Sequence, residues 1–176
     1  MWALAGSSNH KLYRYFEPLT RDFLERHPDA SMYTNGDYST KVLTYEHPQV
    51  TNLMMMGTER DQVMSFRDAM LLAKYCDLVI GPETGIINAV GAWKVPKICL
   101  LTHSNAENFT KYFFNAYPIQ APVWCSPCHL LFKYKNIWQR HCQVDDAYGI
   151  MTPKCTEHGA GDILDIMEKV YDEWKN

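Results

Sequence analysis

The amino-acid sequence predicts an α/β fold, an open parallel sheet flanked by helices, on three observations. Five short apolar runs recur along the chain, stretches of helical periodicity separate them, and glycine-bearing loops follow the first and fourth runs. Parallel strands need a crossover connection, and a helix laid across the sheet supplies it. Runs alternating with helical stretches therefore read as βαβ units.

The runs are Trp2 to Ala5, Ser31 to Thr34, Val50 to Met55, Leu78 to Ile80 and Val95 to Leu101. Between the first two, Tyr13 to Arg26 sets Tyr13, Phe16, Leu19, Phe23 and Leu24 near one helical face. Pro18 in this stretch suits a first helical turn or marks a kink. The next helix opens with Ser65 and Asp68 at capping-box-like spacing and carries Phe66, Ala69, Met70 and Ala73 on one stripe, which should pack flat on the sheet. A short helix from about Ile86 to Trp93 follows the fourth run. The C-terminal helix, at about 162–174, is the most periodic, with Ile163, Ile166, Met167, Val170, Tyr171 and Trp174 spaced by threes and fours behind an Asp162 cap. Ala116 to His158 is rich in Pro, Cys and aromatics and has no clean period, so an irregular Cys-rich segment is expected at about 116–158.

A length of 176 residues suits one domain, 1–176, with a real core. An apolar fraction of 47% with charges of both signs interspersed argues against disorder. The formal charge of −3 comes without a Lys/Arg cluster, so the basic footprint of nucleic-acid binding is missing, while a small anion needs only a few placed donors. No apolar run approaches the roughly 20 residues that span a bilayer, and the first residues lack a basic-then-apolar signal pattern. The chain reads as cytoplasmic, with at most peripheral membrane association.

Two loops carry the chemistry. Gly6-Ser7-Ser8-Asn9-His10-Lys11 directly follows the first run, and ligands of open α/β sheets sit outside the carboxyl ends of strands. Gly6 admits close backbone approach, Ser7 and Ser8 offer donors, and Lys11 supplies a charge suited to a diphosphate. An ordinary turn with a solvated lysine is the plain alternative. Gly81-Pro82-Glu83-Thr84-Gly85 follows the fourth run, where Thr84 can cap the next helix and Gly85 can open its unsatisfied amides to an anion. Glu83 would repel that anion, so it is expected to turn toward sugar hydroxyls, or simply to be an exposed turn residue. After the second run, Asn35-Gly36-Asp37 is either a common turn or one whose Asp37 grips ribose hydroxyls.

Cys125-Ser126-Pro127-Cys128 with Cys142 and Cys155 could close a structural zinc site, serve redox chemistry, or be buried thiols. Cys76 and Cys99 fall in helix and strand patterns and read as core residues. The histidines form no ligand pair at helical spacing. His10 and His103 follow strands on the ligand side and are expected to be solvent-exposed.

Taken together, these residues resemble the second, Rossmann-like domain of the ADP-heptose:lipopolysaccharide heptosyltransferases, glycosyltransferase family 9, over nearly the whole chain. That domain is the C-terminal half of a B-type glycosyltransferase. The likeness lies in Trp2 to Ser8 followed by Lys11, in Asn52 to Gly57 before the Ser65 helix, and above all in Asp77 to Gly85. The family usually has Asp-Thr-Gly where Glu83-Thr84-Gly85 stands, and a His where Asn88 stands. Its members often carry cysteines matching Cys125, Cys128, Cys142 and Cys155.

The resemblance implies a two-domain bacterial enzyme of lipopolysaccharide biosynthesis. This half holds a nucleotide diphosphate sugar, ADP-heptose foremost, while an N-terminal domain holds a glycan or glycolipid acceptor. Transfer inverts the anomeric carbon and needs no cofactor or catalytic metal. The implied donor set is Gly6, Ser7, Ser8, Lys11, Asp37, Met56, Glu83, Thr84, Gly85 and Asn88. Lys11, with Ser7 and Ser8, neutralises the leaving diphosphate. Thr84 and Gly85 add backbone donors, Glu83 positions the sugar, and Met56 lies near the nucleobase. The catalytic base belongs to the N-terminal domain, so this chain is expected to bind donor without transferring sugar. The alternatives are a non-catalytic nucleotide-binding module that kept the fold and a zinc-stabilised interaction module.

Overall fold

A computed structural model describes residues 1–4, 9–36, 45–53, 64–129 and 153–175. Its strands are β1 (Trp2–Ala3), β2 (Met32–Asn35), β3 (Val50–Asn52), β4 (Val79–Pro82), β5 (Lys97–Leu101) and β6 (Ala116–Gln120). Its helices are α1 (Phe16–Arg26), α2 (Phe66–Lys74), α3 (Gly85–Val90), α4 (Ala106–Phe109) and α5 (Ala160–Lys175), with 3₁₀ turns at Asn9–Lys11 and Lys154–Thr156. All pairings are parallel and the strand order is β3-β2-β1-β4-β5-β6. The fold is therefore Rossmann-like, an open all-parallel sheet flanked by helices.

Two apolar clusters cover the sheet. Trp2, Leu4, Ile80, Ile98 and Leu100 join Phe16, Leu19, Phe23 and Leu24 of α1 and Ile163 and Met167 of α5. Ala3, Val79, Cys99 and Leu101 join Ala69 and Ala73 of α2 and Ile86, Ile87 and Val90 of α3. Neighbouring strand residues thus point to opposite clusters, as period two requires, and both sides are apolar. That is why the strands read as continuous runs rather than as alternation. Lys97 interrupts its run yet is buried, because its Nζ caps the carbonyls of Trp93, at 3.0 Å, and Phe114.

The expected helices form, with local corrections. Pro18 is third in α1, where its missing N–H would have had no helical partner. Ser65 caps α2 by accepting from the Asp68 amide at 3.1 Å. Of the expected α2 stripe, Ala69 and Ala73 are buried, but Phe66 is 58% exposed and lies over Gly85 instead of the sheet. The helix after β4 ends at Val90, three residues short of Trp93. Asp162 is not the cap of α5. The helix begins at Ala160 and Asp162 sits inside its first turn, where its charge still favours the helix dipole. The apolar face of α5 packs against α1 and β6.

The segment expected to be irregular opens with β6, paired to β5 along its full length from Lys97↔Ala116 to Leu101↔Gln120. Pro118 obscures that strand in the sequence. An edge strand tolerates it, because among the described residues one side of β6 has no strand that needs an N–H. Among the described residues no helix is long and apolar enough to cross a membrane.

Candidate functional site

The strand order reverses between β1 and β4, since the chain builds outward through β2 and β3 on one side and through β5 and β6 on the other. After β1 the chain passes to α1 on one apolar cluster, and after β4 it passes to α3 on the other. Helices on opposite sides of the sheet thus follow β1 and β4, the arrangement at whose carboxyl ends open α/β sheets bind ligands. Gly81 lets the two strands come close. A Cβ there would stand 2.9 Å from both Ala3 Cβ and the Ala3 carbonyl oxygen.

Both loops read from the sequence reach this rim. Lys11 lies half-buried in the 3₁₀ turn after β1 and donates from Nζ to the backbone carbonyl of Glu83 at 2.5 Å. Thr84 caps α3 by accepting from the Ile87 amide at 3.4 Å, and its carbonyl accepts from the Asn88 side chain at 3.0 Å. A Cβ on Gly85 would meet the Phe66 ring at 2.9 Å, so α2 packs over the start of α3. At the end of β2, the buried Asn35 amide nitrogen has no hydrogen-bond partner among the described residues. Gly6, Ser7, Ser8, Asp37, Met56 and Cys142 lie outside the described residues.

Glu83 does not face the open crevice. It is 3% exposed and its carboxylate is turned into the loop after β5. Oε2 accepts from Thr102 Oγ1 at 2.7 Å and lies 2.8 Å from His103 Nδ1, while Oε1 accepts from the Ser104 amide at 2.7 Å and from the Ser104 hydroxyl. These donors fill both oxygens, which corrects the expectation of sugar-facing lone pairs. Burial alone would raise the carboxyl's pKa. The bonds from His103, Ser104 and Thr102 outweigh it and hold the group well below the usual carboxylate range.

The histidines also differ from expectation. His10 is buried and His103 is mostly covered, so neither is a solvated side chain. His158, just before α5, is 3% exposed, and among the described residues neither ring nitrogen has a hydrogen-bond partner. Desolvation lowers its pKa to about 4, against a smaller opposing pull from the Glu83 charge. It tilts against Tyr13, whose hydroxyl is pushed up to about 12, mainly by burial.

The Cys125–Cys128 turn braces this rim from outside. Ser126 Oγ donates to the Thr102 carbonyl at 2.6 Å, and the His129 amide donates to the His103 carbonyl at 2.6 Å. Among the described residues no three His, Cys, Asp or Glu side chains stand together as metal ligands. A cleft of about 470 Å³ lined by Met1, Met32, Leu78 and Met167 opens at the opposite rim, beneath the amino ends of the strands. It lies away from the end at which parallel sheets bind ligands. No family model, curated protein or solved structure matches the chain.

Proposed function

We propose that this chain is the donor-binding part of a glycosyltransferase, holding a nucleotide diphosphate sugar in the crevice between β1 and β4. One observation carries the reading: Lys11 Nζ rests on the carbonyl of Glu83, one residue from the Thr84 cap, so a cationic loop and a helix-opening turn meet at the point where the strand order reverses. A diphosphate needs that combination of a positive charge and backbone donors. Lys11 neutralises charge that grows on the leaving diphosphate as the glycosidic bond breaks, an interaction stronger in the transition state than in the ground state. Gly6, Ser7 and Ser8 line the same loop. Thr84 and Gly85 contribute amides, Asn88 donates to the Thr84 carbonyl, and Asp37 and Met56 are the residues that the resemblance assigns to the nucleoside.

In this reading Glu83 is a positioning residue. Its carboxylate fixes the loop after β5 while its carbonyl seats Lys11. ADP-heptose is the favoured donor, a glycan or glycolipid the acceptor, and a second, N-terminal domain supplies the acceptor site and the catalytic base in the cytoplasm. The reaction inverts the anomeric carbon and uses no catalytic metal; Cys125, Cys128, Cys142 and Cys155 are the residues a structural zinc would take. Calorimetric titration with ADP, UDP, GDP and their sugars tests the reading. Binding of one diphosphate series in preference to its nucleoside is expected, and no binding of any of them at millimolar concentration overturns it.

A further inference from the structure

We propose that the cleft beneath the amino ends of the strands is a slot for polypeptide: it takes two extended, apolar residues that run into β1 through a peptide bond to the Met1 nitrogen. The register defines the slot. Trp2 pairs with Thr34 on one side and Ile80 on the other, so Met1 stands level with Tyr33 and Val79. The next two places ahead of it lie level with Met32 and Leu78, then with Ser31 and Asp77, all four of which line the cleft. Met1 already bonds as a strand residue does: its nitrogen donates to the Leu78 carbonyl at 2.7 Å, and its carbonyl accepts from the Ile80 amide at 2.8 Å. Odd places along β1 thus face β4, and even places face β2, where the Leu4 amide donates to the Asn35 carbonyl at 2.8 Å. Carried two places further, the same alternation leaves the Tyr33 amide and Ser31 carbonyl for the first added residue and the Leu78 amide and Cys76 carbonyl for the second, with no strand opposite them among the described residues. Backbone groups at a buried rim are almost always paired, and four of them at strand spacing fit a strand.

The walls suit two such residues in turn. Trp2 belongs to the apolar cluster under α1 and α5, and Met1 to the one under α2 and α3. The first added side chain therefore points toward Phe23, Met167 and Val170 and the second toward Leu72, Tyr75 and Cys76, and all six residues line the cleft. A ligand lying on one face of the sheet would touch one cluster, whereas a strand residue and its neighbour reach both. The cleft volume of about 470 Å³ accommodates the pair. The slot lies at the opposite rim from Lys11 and Thr84, so its occupancy does not depend on what binds between β1 and β4.

The test extends the whole chain by Ser-Ile-Val, Ser-Gly-Gly or Ser-Asp-Asp ahead of Met1 and compares thermal melting and amide exchange, read by NMR, with the 176-residue chain. Ser-Ile-Val should raise Tm by roughly 5–15 °C and slow exchange of the Tyr33 and Leu78 amides at least about tenfold. Ser-Gly-Gly offers the same backbone and moves the terminal charge just as far, so it should slow the same amides with a smaller gain in Tm. Ser-Asp-Asp sets carboxylates against apolar walls and beside Asp29 and Asp77, and should give no gain. Unchanged exchange at Tyr33 and Leu78 with Ser-Ile-Val overturns the slot. Equal gains from all three extensions overturn it too, because removal of the buried terminal charge then explains them. A dimer of the 176-residue chain in which the two amides are already protected also overturns it, since a second copy then fills the cleft. If the 176-residue chain fails to fold, a cooperative melt restored by Ser-Ile-Val and not by Ser-Asp-Asp supports the slot, and no restoration overturns it.

Discussion

Replacing Glu83 by Ala removes one buried carboxylate and strands the donors that it serves. Thr102 Oγ1, His103 Nδ1 and the Ser104 amide and hydroxyl all point at it. Two of these, the Ser104 amide and the His103 ring, lie on a turn that Ser126 and His129 brace from outside, so they cannot all swing out to water. An unsatisfied buried polar group costs about 1–3 kcal/mol, and breaking a buried charged pair about 3–5 kcal/mol. With partial relaxation a net loss of roughly 3–5 kcal/mol follows, which for a chain of this size is a fall in Tm of roughly 6–20 °C. Urea denaturation and thermal melting followed by circular dichroism read it directly. E83Q keeps the shape but turns an amide toward donors, and should lose less. Because the folded carboxyl is held below its ordinary value, its contribution is complete above the unfolded value of about 4.3 and is lost as pH falls toward the folded one. The stability gap between wild type and E83Q should therefore be constant near neutrality and shrink only below about pH 4.3. An E83A variant melting within a degree or two of wild type would refute the view that this carboxylate holds the rim together.

Two other expectations concern charge. His158 is lowered to about 4 by burial, so the unfolded chain binds a proton that the folded chain refuses between about pH 6.5 and 4. Wild-type stability should fall across that window by up to roughly 3 kcal/mol, and H158F should flatten the slope in denaturation curves taken at several pH values; an unchanged slope refutes the assignment. Lys11→Met should weaken nucleotide diphosphate binding at least about tenfold by calorimetry, because it removes the cation held on the Glu83 carbonyl. Equal loss of nucleoside binding would place Lys11 away from the phosphates.

The fold was legible because burial on both faces writes parallel strands as apolar runs, and five of the six strands announced themselves that way. β6 did not, since Pro118 and its polar neighbours break the run and an edge strand needs less apolar surface. The Ser65 and Thr84 caps were legible because a cap bonds an amide three residues on. The destination of the Glu83 carboxylate was not. Its partners at Thr102 to Ser104 follow the next strand, and no local pattern relates residues that meet only when β4 and β5 pair. The same holds for Phe66 over Gly85, where two helices meet across a long stretch of chain. His10 and His103 read as surface residues because imidazole carries no signature of burial in sequence.

A carboxylate beside a proposed anion site looks like a contradiction, and the geometry of Glu83 resolves it. At an effective dielectric of about 20, two unit charges about 7 Å apart repel by roughly 2 kcal/mol, enough to cost more than tenfold in affinity if nothing opposed it. Two features oppose it. The carboxylate is spent on donors from the loop after β5, so its charge is already compensated by oriented N–H and O–H dipoles. The same residue's carbonyl carries Lys11 Nζ at 2.5 Å, which sets a cation beside the buried anion. One residue therefore orders two loops with opposite electrical consequences. Removing the cation alone exposes the crevice to the uncompensated part of the Glu83 charge, so the loss of Lys11 should exceed the strength of its own bond to phosphate, and E83Q in the Lys11→Met background should recover part of that difference.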